Sequence, residues 1–226
     1  MRRQNFTDDT VDYAAVGATQ AHDLMQYPPE YSVPAEDAWR IGSGEERFAA
    51  ASELLLSWAP LRSEELSITD VRPATDSGYT GVGFDAEGAP IAPSRLESEQ
   101  RFAADGTPFV SPGTSVRVHG KVDGHRADSH LRVISVFEEP RRVGYILGTV
   151  GHSIVSGEEL FAVEWRDNDE VWFVVRAFDR PTAPSYRVFL GLVRRRRRAL
   201  FQRYLREISP LYTSFLLYPS DAADAL

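Results

Sequence analysis

Two hydrophobic periods divide this chain. From Ser115 onward Val116, Val118 and Val122 alternate with polar residues, and Leu131, Val133, Ser135 and Phe137 repeat the alternation. A period of two is the mark of half-buried strands. The pattern predicts antiparallel neighbours that continue through Val143–Val150, Glu159–Trp165 and Val171–Phe178, with turns at Asp123–Ser129 and Glu138–Arg142. Two other stretches run at three- and four-residue spacing. Phe48, Ala51, Leu55, Trp58 and Ala59 form one apolar stripe, opened by a Ser43 and Glu46 capping box and stopped by Pro60. The last helix spans Ser185 to Ile208, with Pro184 and Pro210 as its limits. At roughly 100° per residue, Phe189, Leu190, Val193, Leu200, Phe201, Tyr204 and Ile208 share one arc of about 120°. Arg195, Arg196, Arg203 and Arg206 face the other way. Arg197 falls inside the apolar arc and Arg194 at its edge, so one of them must snorkel or meet an anion.

The rest of the chain frames these elements. Residues 1–30 read as an extended arm anchored by Tyr13, Val16 and Leu24, since Pro28, Pro29 and Pro34 forbid a continuous helix. Tyr31–Ile41 predicts a first strand and Leu66–Val71 a short one. Residues 73–108, rich in Gly, Pro, Ser, Asp and Glu without a period, read as a loop insertion. The order strand, helix, antiparallel strands, long helix predicts one α+β domain over 31–210, a curved antiparallel sheet gripping a C-terminal helix. A ligand in such a helix-grip lies between helix and sheet.

Composition narrows the function classes. At 226 residues, 42% hydrophobic and 26% charged, the chain suits one globular domain with a real core. The net charge of −8 is segregated: Arg187–Glu207 carries a local +7, leaving −15 elsewhere. That distribution argues against a general nucleic-acid binder. No apolar run approaches the roughly 18 residues of a membrane span, and Met1–Asn5 does not lead into a signal-peptide core, so a cytoplasmic protein without stable membrane insertion is expected. Without cysteine there is no disulfide, thiolate chemistry or cysteine-held metal.

Candidate chemistry gathers at one turn. His152, Glu158 and Glu159 flank it, and a histidine with a carboxylate suffices for acid–base work. Strand phase separates the two acids: Glu159 shares a face with Phe161, Val163 and Trp165, whereas Glu158 joins Leu160, Ala162 and Glu164. Glu159 is therefore the inward carboxylate. Either it pairs with Arg197 or Arg176, or these groups hold the polar head of a ligand against a wall of Phe161, Trp165, Trp172, Phe173 and Tyr204. His119, His125, His130 and His152 lack metal-ligand spacing, so no metal is expected. Gly148 and Gly151 read as a tight turn of positive φ rather than a dinucleotide fingerprint, and no cofactor motif occurs. Arg194–Arg198 has no interleaved aromatic residue and reads as a solvated face. The leading expectation is a small hydrophobic or amphipathic partner carrying a polar or acidic group. The alternatives are a hydrolase or cyclase using His152 and Glu159, and a non-catalytic interaction protein using the arginine-rich helix.

Several residues also carry a resemblance. Gly148, Thr149, Gly151, His152, Gly157, Glu158, Glu159 and Phe161, then Trp172, Phe173, Ala177, Phe178, Arg180 and Pro181, resemble the bacterial and plant family known as domain of unknown function nineteen-ninety. Val16, Gly17, Ala18, Thr19, Gly42, Gly44, Phe48, Ala51 and Trp58 match its amino-terminal half. The resemblance covers Tyr13–Ile208, departs at Pro73–Pro108 and has no counterpart for Leu211–Leu226, which reads as a disordered or artefactual tail. It implies a START-like helix-grip fold and, by analogy with that fold, binding of a hydrophobic ligand.

Overall fold

The computed structural model describes residues 10–74, 83–84, 90–91, 101–102, 106, 108–122, 125–151, 155–182 and 190–209. Among them an antiparallel sheet of seven strands is the frame: β1 (Val33–Ser43), β2 (Leu66–Arg72), β3 (Ser115–Val122), β4 (His125–Glu139), β5 (Arg142–Thr149), β6 (Val155–Trp165) and β7 (Glu170–Pro181). Their spatial order is β1-β7-β6-β5-β4-β3-β2. Strands β2 to β7 thus form a meander, and β1 joins its far edge beside β7, with Ala35 opposite Ala177 and Trp39 opposite Phe173. Helix α1 (Glu45–Leu56) makes the crossing after β1, and α2 (Leu190–Ile208) ends the described fold. This is the predicted α+β helix-grip. A separate two-stranded pair, Gly83–Phe84 with Pro90–Ile91, lies within the 73–108 stretch.

Both helices cover one face of the sheet. The core between them takes Phe48, Leu55 and Leu56 from α1, Phe201, Tyr204 and Ile208 from α2, and Tyr145, Leu147, Phe161, Val163, Phe173 and Val175 from the central strands. On the opposite, outer face Ile146, Leu160, Ala162 and Val174 form a second cluster, with Phe137 and Trp172 packed against it. Residues Val143 to Gly148 of β5 are consequently buried one after another. A strand covered on both faces loses strict alternation.

Local boundaries differ from the sequence reading where tertiary geometry intervenes. Ser43 remains in β1, so no Ser43–Glu46 capping box forms; Gly44, with φ 85°, takes the N-cap position without a side-chain cap. The helix stops at Leu56 rather than Ala59, because Trp58 turns left-handed at φ 69° and leads into a 3₁₀ turn at Ala59–Leu61. That turn lets the Trp58 indole donate to the Pro108 carbonyl at 2.9 Å. Strand β6 begins at Val155, four residues before the predicted Glu159, and β7 runs to Pro181. Arg203 is not on a purely solvated face, since it pairs with Glu65, the residue before β2.

The N-terminal segment crosses the outer face. Val11 bridges to Val150, the Tyr13 ring meets Phe178 edge-on at 5.6 Å, and Leu24 is buried. Val16 is not an anchor, being 51% exposed. Gly148 is required by this crossing: a Cβ there would stand 2.3 Å from the Tyr13 hydroxyl. Its glycine serves close approach, whereas Gly151 has the turn geometry, at φ 77°.

Candidate functional site

Strand phase places Glu159 on the helix-covered face of β6, opposite Leu147 of β5 and Ala177 of β7. Two residues along the same face Phe161 is fully buried between Tyr145 at 5.2 Å, Phe173 at 6.5 Å and Tyr204 at 5.0 Å. Tyr204 descends from α2 and donates its hydroxyl hydrogen to Glu159 Oε2 at 3.2 Å. Two helical turns earlier Arg197 reaches the sheet and forms an ion pair with Asp179 of β7. The period of two carries Asp179 to the same face as Ala177 and Val175. Glu159, Tyr204, Arg197 and Asp179 therefore form one polar cluster behind an aromatic wall.

The electrostatics follow from burial. Glu159 retains some contact with solvent but is crowded by protein, and desolvation pushes its carboxyl from 4.5 up to about 7, against the opposing pull of Arg197 and the Tyr204 hydrogen bond. Burial also lowers the Arg197 guanidinium, which Glu159 partly restores. The Tyr145 and Tyr204 hydroxyls rise well above the usual range, first through burial and then through the nearby Glu159. Two buried polar atoms of this neighbourhood, Arg197 Nη1 and Tyr145 Oη, have no hydrogen-bond partner among the described residues. Buried polar atoms are seldom left so.

Beside the cluster a cleft of about 210 Å³ opens between α2 and the β1–β7 edge. Val33, Ala35, Asp37 and Asp179 line its sheet side, Arg197 and Phe201 its helix side, and Met25 of the N-terminal segment stands at its border. Glu159 is one strand deeper. Asp37 is half-buried and accepts the Ala38 amide at 3.0 Å.

The sequence-predicted site residues divide into four groups. Glu159, Phe161, Arg197 and Tyr204 come together. Trp165 shares their face but sits at the far end of β6, six residues or about 20 Å from Glu159, stacked on Phe48 at 6.0 Å and under Arg141 at 4.6 Å. Arg176 and Trp172 are corrected outright: the register opposes them to Leu160 and Glu164, which puts both on the outer face. There Arg176 pairs with Glu36 at 2.9 Å and donates to the Ala21 carbonyl at 2.7 Å, and the Trp172 indole donates to Glu170 at 3.0 Å. His152 falls outside the described residues, as do the 211–226 tail and the side chain of Arg194. Asp179 and Tyr145 were not anticipated. Continuing the period of two beyond Phe178 would have exposed Asp179.

Glu158, the neighbour that points outward, is the most completely bound carboxylate described. It is 1% exposed and accepts from the Tyr13 hydroxyl at 2.9 Å, the Gly17 amide at 2.7 Å, and the Thr19 amide and hydroxyl at 3.0 and 2.5 Å. Gly17 adopts φ 83°, a left-handed conformation that suits glycine, as its amide turns to this carboxylate. The adjacent acids thus serve opposite faces. Glu158 fastens the N-terminal segment; Glu159 faces the helix.

A family model described as "Domain of unknown function (DUF1990)" matches residues 12–101 and 92–207. No curated protein matches the sequence. Solved structures resemble it at low identity. A hypothetical protein of Helicobacter pylori gives a TM-score of 0.43 at 11% identity, covering 94% of this chain and 99% of its own. Ginseng major latex-like protein 151 from Panax ginseng gives 0.45 at 12%, covering 79% and 95%. A START superfamily protein from Mycobacterium smegmatis gives 0.41 at 11%, covering 81% and 98%. Among the described residues no helix is long and apolar enough to cross a membrane.

Proposed function

We propose that this chain, which belongs to the DUF1990 family, binds a small, largely apolar molecule bearing one polar group between α2 and the sheet. The observation that carries the reading is the cluster of Glu159, Tyr204 and Arg197 set against the Tyr145, Phe161 and Phe173 rings, next to an open cleft. A core built for stability alone gains little from a carboxylate and a guanidinium in that position, because removing charges from water costs more than their attraction returns. Apolar walls with a few convergent polar groups of shifted ionisation are what a ligand site needs. Native mass spectrometry on freshly purified protein is expected to show a small co-purifying mass that organic extraction releases. A clean apo mass, together with no thermal stabilisation across a panel of small amphipathic compounds, would count decisively against the reading.

One observation favours catalysis in the same place. A carboxyl that exchanges its proton near neutrality can act as acid or base at physiological pH. On that hydrolase or cyclase reading, any turnover found in a screen of ester and polyketone substrates should fall by at least about 100-fold in Glu159→Gln. Unchanged turnover in that variant would eliminate Glu159 as the catalytic group.

A further inference from the structure

The polar groups at the site are not equivalent, and their pairing points to the kind of group that completes them. The charge of Arg197 is already met by Asp179 through Nη2, leaving Nη1 as a buried donor without a partner among the described residues. Glu159 has Oε2 engaged by the Tyr204 hydroxyl, and the described residues supply no second hydrogen bond to its carboxyl. Tyr145 Oη, which can donate or accept, is also without a partner there. The groups share one neighbourhood: the charges of Glu159 and Arg197 act on one another, and Tyr204 feels Glu159, Arg197 and Tyr145. The unmet groups are thus a donor on Arg197, an acceptor on Glu159 and the Tyr145 hydroxyl, within one electrostatic neighbourhood of which Arg197 and Asp179 line the cleft.

Building on the ligand-binding reading above, we infer that the polar end of the bound molecule is a neutral hydroxyl, an alcohol or phenol, that accepts from Arg197 Nη1 and donates to Glu159. A hydroxyl is a small group that both donates and accepts through one oxygen. A carboxylate could accept from Arg197, but it would add a third negative group beside Glu159 and Asp179. An ammonium could donate to Glu159, but it leaves Nη1 unmet and brings a second cation to Arg197. A methyl group satisfies neither atom. The sites that discriminate best are those whose own buried polar groups are left unpaired by the wrong ligand.

Four compounds of one size separate the cases: naphthylmethanol, naphthylmethylamine, naphthoate and methylnaphthalene, all of the same ring isomer. Titration calorimetry of the full chain at about pH 8 should rank the alcohol first, about tenfold tighter than the methyl parent, as one to two net hydrogen bonds imply. Naphthoate should be weaker than the alcohol by at least about tenfold, and the gap should narrow at about pH 6, where Glu159 holds its proton. The groups facing Glu159 from the packed elements are Tyr145 of β5, Asp179 of β7, and Arg197 and Tyr204 of α2. Glu159→Gln removes the like charge and should raise naphthoate affinity about tenfold at about pH 8. If the acid or the amine binds as tightly as the alcohol there, or all four bind alike, the hydroxyl inference falls while the ligand-binding reading stands. If none of the four binds and none displaces an apolar fluorophore from the protein, both fall.

Discussion

Glu159→Gln should stabilise the domain by about 2 kcal/mol at about pH 8 and by almost nothing at about pH 4.5. Burial raises this carboxyl from 4.5 to about 7 in the folded chain, so between those values the folded state holds a proton that the unfolded state has released. Stability linked to Glu159 is therefore fully present below about 4.5 and is lost as pH rises through about 7. A shift of that size corresponds to about 3 kcal/mol at 1.36 kcal/mol per unit, and solvent reaching the half-buried group reduces the observable part. Glutamine is neutral at every pH and can still accept from the Tyr204 hydroxyl. Urea unfolding of wild type and variant at both pH values is the measurement. An identical difference at both would show that Glu159 ionises as it does in water.

Glu158→Ala should cost about 3–5 kcal/mol and release the N-terminal segment, although Glu158 lies outside the candidate ligand site. Truncation leaves the Gly17 and Thr19 amides and the Thr19 and Tyr13 hydroxyls without their acceptor. Hydrogen bonds to a charged group are worth about 1.5–3 kcal/mol each, and leaving buried donors unmet adds desolvation. The sum is limited because the freed segment can move its donors into water. Protease should then cut first among the exposed Met25, Tyr27 and Tyr31. Conversely, a loss under about 1 kcal/mol with the segment still protected would mean that its other contacts, among them those with Phe178, Val150 and Arg176, suffice to hold it. Tyr13→Phe, which removes one donor, should be the milder variant. The Tyr13 hydroxyl is held far above its ordinary range by burial and by Glu158, so it donates at every accessible pH.

Both experiments turn on neighbouring carboxylates that differ only in strand phase. That phase was legible in the chain: Glu159 falls with Phe161 and Val163, Glu158 with Leu160 and Ala162. Extending the same period through β7 correctly sends Phe173 inward, yet it also sends Arg176 and Trp172 outward, so grouping them with Glu159 contradicted the phase. The helical wheel of α2 likewise singled out Arg197 as the arginine within the apolar arc, and the structure seats it against the sheet. What it pairs with was not legible. Asp179 lies eighteen residues before it in the chain, and their meeting depends on where α2 crosses β7.

The residue pattern alone set most of the elements and the two faces of β6, because periods of two and of about 3.6 residues are local consequences of backbone geometry. It determined the order of elements that makes a helix-grip, and the inward aim of Glu159. The tertiary structure alone decided the partners. It brought Tyr13, Gly17 and Thr19 onto Glu158 across separations of about 140 residues, set Tyr204 on Glu159, and left Arg197 Nη1 and Tyr145 Oη buried without a partner among the described residues. Pairing and burial are sums over contacts remote in the chain. No local period encodes them, and the ionisation of Glu159 near neutrality follows from that burial.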